Sequence, residues 1–200
     1  PSDVTKFPII DAFLSVPREK FVPDGKREAA YIGENFLIGQ NRVILEPRTL
    51  AKLLDALNIN NDELVLDIGT GLGYSSAVIS LLAEVVIAVE DDSSLASEAE
   101  EILSEIGVDN VVVQVSKLED GAPEHGPYDV IILQGGVEEI PGSIINQLKD
   151  GGRVGAIYIE EGLGTAKIGF KLNDKINWRY SFNAAAPVLP GFFKQKNFVL

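Results

Sequence analysis

The chain has 200 residues, 46% of them apolar, which is enough for one well-buried core and too few for two. Seventeen basic residues against thirty acidic ones leave a net charge of −13, which repels nucleic-acid phosphates and anionic lipid surfaces and argues against nonspecific binding to either. With no cysteine there is no disulfide, thiol nucleophile or thiolate ligand, and the single histidine, His125, rules out a multi-histidine metal site.

No run of eighteen apolar residues is present, so no membrane-spanning helix is expected. Residues 1–20 read as neither a signal nor a transit peptide, and a cytoplasmic setting is the expectation. Residues 1–46 read as a loop-rich arm on a single 1–200 domain, with a short apolar helix around Ile9–Val16 followed by Pro17, Pro23, Gly25, Gly33 and Gly39. From Pro47 the pattern changes: Leu50, Leu53, Leu54 and Leu57 repeat at helical spacing, with proline in the first turn.

Short apolar runs then alternate with helical patterns. Leu64–Ile68, Val85–Glu90, Val111–Val115 and Tyr128–Leu133 read as strands, while Gly73–Ala83 and Ser93–Ile106 read as helices, the second ended by Gly107. Ile144, Ile145 and Leu148 predict a further helix stopped at Lys149–Gly152. Such units imply a mostly parallel, doubly wound α/β sheet with helices on both faces. Beyond Gly152 the rhythm breaks into Arg153–Ile159, Thr165–Leu172 and a run near Asn197–Leu200, which predicts a C-terminal antiparallel element with a hairpin at Glu161–Gly164.

The chemistry-bearing stretch is Glu63–Gly73, ELVLDIGTGLG, where a buried strand turns into a helix at the carboxyl edge of the sheet. The glycines let the backbone turn tightly and approach a ligand. A dinucleotide loop requires a third glycine where this chain has Tyr74, and a phosphate-cradling P-loop requires Gly-Lys-Ser/Thr, which is absent. Instead Asp67 precedes the first glycine, which suits a cationic ligand. Glu90-Asp91 ends the next strand, where a carboxylate can accept both hydroxyls of a ribose. The candidate cofactor-binding residues are therefore Asp67, Gly69, Thr70, Gly71, Gly73, Glu90 and Asp91, with no metal site.

Several segments resemble the protein-L-isoaspartate O-methyltransferase family. Val16–Pro23, VPREKFVP, is similar to its VPRExFVP segment and Val65–Tyr74 to its VLDxGxGxGY loop; Gly126–Asp129 and Gln147–Arg153 are similar to its PYD and QLKxGGR segments. The resemblance implies a Rossmann-like methyltransferase fold, S-adenosylmethionine as cofactor and protein or peptide substrates carrying isoaspartyl residues, whose carboxylates are esterified to begin repair. A carboxylate acceptor is already ionised at neutral pH and needs alignment with the methyl group more than a base.

The resemblance also implies an acceptor side. Where the family carries Gly-Gln-Thr-Ile-Ser-x-Pro, this chain has Asn41–Pro47, NRVILEP, so the two hydroxyls become Val43 and Leu45 and Glu46 adds a charge. Arg42, Leu45 and Glu46 are the candidates nearest the acceptor. Weak isoaspartyl turnover is the expectation, with Val43→Thr plus Leu45→Ser raising it. The family's Gly-Asp pair after the third strand reads Ser116-Lys117, and its Thr-Ala segment after the fourth reads Leu133–Gly136. Two alternatives stay open: a methyltransferase for another small acceptor, and a cofactor-binding protein with little turnover.

Overall fold

A computed structural model describes residues 4–23 and 25–194. The arm holds helix α1 (Phe7–Ser15) and a small antiparallel hairpin of β1 (Phe36–Gly39) and β2 (Arg42–Ile44). The hairpin was not expected, although Asn41 at its tip, with φ 57°, supplies the left-handed conformation that a two-residue connection demands. Helix α2 (Pro47–Leu57) follows; it buries Leu50, Leu53, Leu54 and Leu57 and ends at Asn58, which is left-handed. Arg153 donates to the carbonyls of Leu57 and Asn58 and pairs with Glu63 at 2.7 Å, so the orphan carbonyls at this helix end are met from the sheet.

The main sheet comprises β3 (Leu64–Ile68), β4 (Val85–Glu90), β5 (Val111–Val115), β6 (Tyr128–Val137), β7 (Leu148–Glu160), β8 (Leu163–Leu172) and β9 (Lys175–Asn183), in the order β5-β4-β3-β6-β7-β8-β9. The first five in that order run parallel, β8 adds antiparallel to β7 and β9 antiparallel to β8, so the architecture is a Rossmann-like α/β sheet with the expected antiparallel end. Both hairpins there turn through paired left-handed residues, Glu161-Gly162 and Asn173-Asp174. Because β3 winds outward to β5 and the chain then returns to β6 on the other side, a switch point opens at the carboxyl ends of β3 and β6.

Helix α3 (Tyr74–Ser80) begins directly after the glycine loop. Helix α4 (Ser93–Glu105) is capped by Asp92, whose carboxylate accepts from the amides of Ser94 and Leu95 at 2.8 and 3.2 Å. Alternate strand residues face two cores: Val65, Val86 and Val130 meet the apolar stripes of α1 to α4, while Leu66, Ile87 and Ile131 face the other way. Among the described residues that second face is covered by a four-residue helix, α5 (Gly142–Ile145), with Leu118, Ala122, Leu189 and Phe192 from irregular segments.

Two expectations are corrected. Leu148 and Lys149–Gly152 do not continue and stop a helix; they form the start of β7, and Leu148 pairs with Tyr128. Strand β6 runs past Leu133 to Val137, because Gln134–Gly136 stay extended rather than forming a loop. The expected strand near Asn197–Leu200 lies outside the described residues. No helix among the described residues is long and apolar enough to cross a membrane.

Candidate functional site

The glycine loop lies at the switch point, with Asp67 on β3 below it and Glu90 at the end of β4 beside it. Gly69, Gly71 and Gly73 all have positive φ, which frees the backbone to cross from strand to helix in five residues, 69–73. The amides of Gly69 and Thr70 both donate to the Val89 carbonyl, at 2.8 and 3.3 Å, which fastens the loop to β4.

Asp67 is fully enclosed. One carboxylate oxygen accepts from the hydroxyls of Ser75 and Ser76, each at 2.6 Å, and the other accepts from the Gln134 amide at 2.7 Å. Ser76 spends its only proton on Asp67, so Thr70, 2.7 Å from it, must be the donor in their contact. The carboxylate therefore joins β3, the first turn of α3 and the end of β6, and it presents no exposed surface to a ligand in this arrangement. Sequence reasoning missed Ser75, Ser76 and Gln134 as its partners, although Gln134 stood out as a polar residue in an otherwise apolar run.

Burial pushes the Asp67 carboxyl above its ordinary 3.8, opposed by bonds from Ser75, Ser76 and Gln134. A carboxyl raised in the folded state holds more protons there than in the unfolded chain, so its contribution to stability falls as pH rises from about 3.8 through the folded value. Asp67→Asn removes that dependence while Asn can still accept from Gln134 and donate to a serine. The Tm of the variant minus that of the parent is expected to grow more positive as pH rises above about 4. A difference that stays flat over that rise would show that the Asp67 carboxyl is not raised.

Glu90 is also fully buried, and it does not stand free. Its two oxygens accept from Nη1 and Nη2 of Arg42, the first at 2.7 Å; the Gly71 amide reaches the second oxygen at 2.7 Å, and the Asp91 and Asp92 amides reach the first at 3.0 and 3.2 Å. Nη1 of Arg42 also reaches Asp91, at the rim, at 2.6 Å. Burial on its own would lower the Arg42 pKa, but the bonds and charges of Glu90 and Asp91 raise it above its ordinary value. Burial pushes Glu90 upward and Arg42 opposes that rise.

The space over the loop is filled from two directions. Strand β1 sets Ile38 so close to Gly71 that a Cβ there would collide with its Cδ1. From the other side, the segment after β9 pairs with the end of β6: Gly136 donates to Pro187 at 2.7 Å and Leu189 donates back at 2.9 Å. Leu189 consequently lies over Gly69 and over Gly135, where a Cβ would be 3.4 and 2.6 Å from its Cδ2. Glycine at these positions admits this chain's own side chains.

The remaining candidates are dispersed. Leu45 is 1% exposed and Val43 7%, both in the core with Phe21 and Leu50 rather than on a cleft wall. Glu46, at the start of α2, is half-buried; its carboxylate accepts from the Thr49 hydroxyl at 2.8 Å and its amide donates to Asn35 at 2.9 Å. Arg48 is exposed on α2, and the Lys52 ammonium lies 4.6 Å from the Phe182 ring. His125 is exposed in a short turn. Among the described residues no group of three or more His, Cys, Asp or Glu is arranged to hold a metal ion.

Comparison with known proteins supplies the context for this geometry. The profile of the family described as protein-L-isoaspartate(D-aspartate) O-methyltransferase matches residues 3–177. A protein-L-isoaspartate O-methyltransferase of Methanocella arvoryzae is 42% identical over 142 residues, covering 70% of this chain and 76% of that protein. One from Opitutus terrae is 36% identical over 152 residues, covering 76% of this chain and 65% of that protein. A solved protein-L-isoaspartate O-methyltransferase superposes with a TM-score of 0.84 at 26% identity, covering 93% of this chain and 62% of the other. The chain thus spans less than two thirds of the length of some relatives it matches.

Proposed function

The chain belongs to the protein-L-isoaspartate(D-aspartate) O-methyltransferase family, and we propose that it transfers a methyl group from S-adenosylmethionine to the free α-carboxylate of isoaspartyl residues in proteins and peptides. The observation that carries this reading is the Glu90 carboxylate at the end of β4, set beside a glycine loop at the switch point of the sheet. The chemistry of the donor set fits the cofactor. With Arg42 withdrawn, the two oxygens of Glu90 can accept the two ribose hydroxyls, and a ligand that displaces Ile38 and Leu189 meets a loop with no Cβ at Gly69, Gly71 and Gly73.

When bound, the cofactor supplies an electrophilic methyl on a sulfonium. The chain's own contribution is placement. Asp67 fixes the loop by tying β3 to α3 and β6, and the β1–β2 hairpin and the 187–189 segment cover the site and keep water from it. Residues 1–46 thereby act as a cap on the cofactor and acceptor side. The acceptor carboxylate arrives ionised, so no base is asked of this site. A cytoplasmic setting is part of this proposal.

Titration with S-adenosylhomocysteine should give a micromolar Kd and no signal with NAD, and incubation with S-adenosylmethionine and an isoaspartyl peptide should yield a methyl ester that the matched aspartyl peptide does not form. Binding without ester would favour a cofactor-binding protein with little turnover.

A further inference from the structure

We infer that Arg42 is an internal competitor for the cofactor: its guanidinium occupies the place on Glu90 that the ribose diol must take, so Arg42 sets the affinity of the site. The inference rests on the cofactor reading given above. A vicinal diol and a guanidinium make the same demand on a carboxylate, two donors aimed at two oxygens, and only one of them can be served. Here the guanidinium serves both oxygens of Glu90 and leans against the loop, with Nη2 standing 3.5 Å from where a Cβ of Gly69 would be, and Arg42 as a whole is 5% exposed.

The arrangement is built to exchange. Nη1 already divides itself between Glu90 in the floor of the site and Asp91 at the rim, whose side chain is 30% exposed. A guanidinium that leaves Glu90 can therefore keep Asp91 and turn toward solvent, which avoids stranding a buried charge. Glu90 also survives the exchange, because the amides of Gly71, Asp91 and Asp92 remain on it. Arg42 sits on β2, in a three-residue strand held by a hairpin, so its swing and that of Ile38 next to Gly71 belong to the same element.

A ligand that binds only the fraction of molecules with Arg42 withdrawn shows an affinity reduced by that fraction. Arg42→Gln removes the charge and the bidentate fork while leaving a polar side chain, the one the family's segment carries at this position. S-adenosylhomocysteine should bind this variant at least about tenfold more tightly than the parent. Arg42→Lys, which keeps the charge but cannot serve both oxygens, should fall between them. In stopped flow, the observed association rate of the parent should level off with ligand concentration as withdrawal of Arg42 becomes limiting, and that of Arg42→Gln should stay linear. Unfolding by urea confirms that each variant is folded. Equal affinity in parent and Arg42→Gln, or weaker binding by a folded Arg42→Gln, overturns the competitor role alone. Absence of binding by all three proteins at millimolar ligand removes the cofactor reading, and this inference with it.

Discussion

Replacing Arg18 by alanine is expected to lower the unfolding free energy by about 3–5 kcal/mol, a large share of the ~5–15 kcal/mol that holds a domain together. Arg18 is 1% exposed and works as a clasp: Nε donates to the Ala30 carbonyl at 2.8 Å, Nη2 donates to the Leu45 carbonyl at 2.9 Å, and the guanidinium lies 4.5 Å from the Tyr74 ring. Tyr74 opens α3 and meets Phe13 and Phe21 edge-on, so one side chain joins two places in the arm, the entry to α2 and the end of the glycine loop. Truncation leaves two carbonyls without their donor at about 1–3 kcal/mol each and removes a cation–π contact worth about 1–2 kcal/mol. Burial depresses the Arg18 pKa, with Tyr74 and Glu46 opposing, so part of the charge's desolvation cost is recovered on removal. Arg18→Lys keeps one donor and should lose roughly half as much. Urea midpoints at constant slope measure both, and a loss under about 1 kcal/mol for the alanine variant would refute the clasp.

Arg18 was visible in the sequence only as one letter of VPREKFVP, and the contrast with the central strands shows what a sequence exposes. Strands β3 and β4 begin and end where the apolar runs do, because a strand buried on both faces has little use for polar residues and reads as a continuous block. The same rule failed where glycine interrupted the run. Gly135 and Gly136 looked like loop residues, yet they are strand positions kept bare so that Leu189 and the 187–189 backbone can close on them. Gly151-Gly152 looked like a helix stop and lies instead inside β7, where a Cβ on Gly152 would press on the Asp129 carbonyl at 2.9 Å.

The site was half legible for a related reason. Asp67 and Glu90 are tied to strand ends, so local pattern located them. Their partners are non-local: Arg42 meets Glu90 across 48 residues, and Gln134 meets Asp67 across 67. Nothing in the neighbourhood of either residue announces the pairing. The hairpin that delivers Arg42 is too short for alternation to reveal, and Asn41 at its tip was the one signal available.

The double change Val43→Thr with Leu45→Ser is expected to destabilise the chain by about 4–6 kcal/mol rather than to supply hydroxyls to an acceptor. Both side chains belong to the core that includes Phe21, Leu50 and Leu53, and Leu45 is 1% exposed. Leu45→Ser removes most of a buried side chain and leaves a cavity, at about 3–4 kcal/mol, and then asks an enclosed hydroxyl to find a partner. Val43→Thr conserves shape but buries a second hydroxyl, at about 1–2 kcal/mol. The Leu45 carbonyl is the acceptor for Nη2 of Arg18, so a backbone shift at residue 45 would loosen the clasp as well, and the losses at Arg18 and Leu45 should not be additive. Urea unfolding of the two single variants and the double measures the stability, and kcat/KM on an isoaspartyl peptide, taken well below each Tm, reads the chemistry separately. A folded double variant within about 1 kcal/mol of the parent and with raised turnover would return Val43 and Leu45 to the acceptor wall. A large loss of stability with turnover unimproved would leave them as core residues, and the means of neutralising the acceptor would then have to come from elsewhere in the chain.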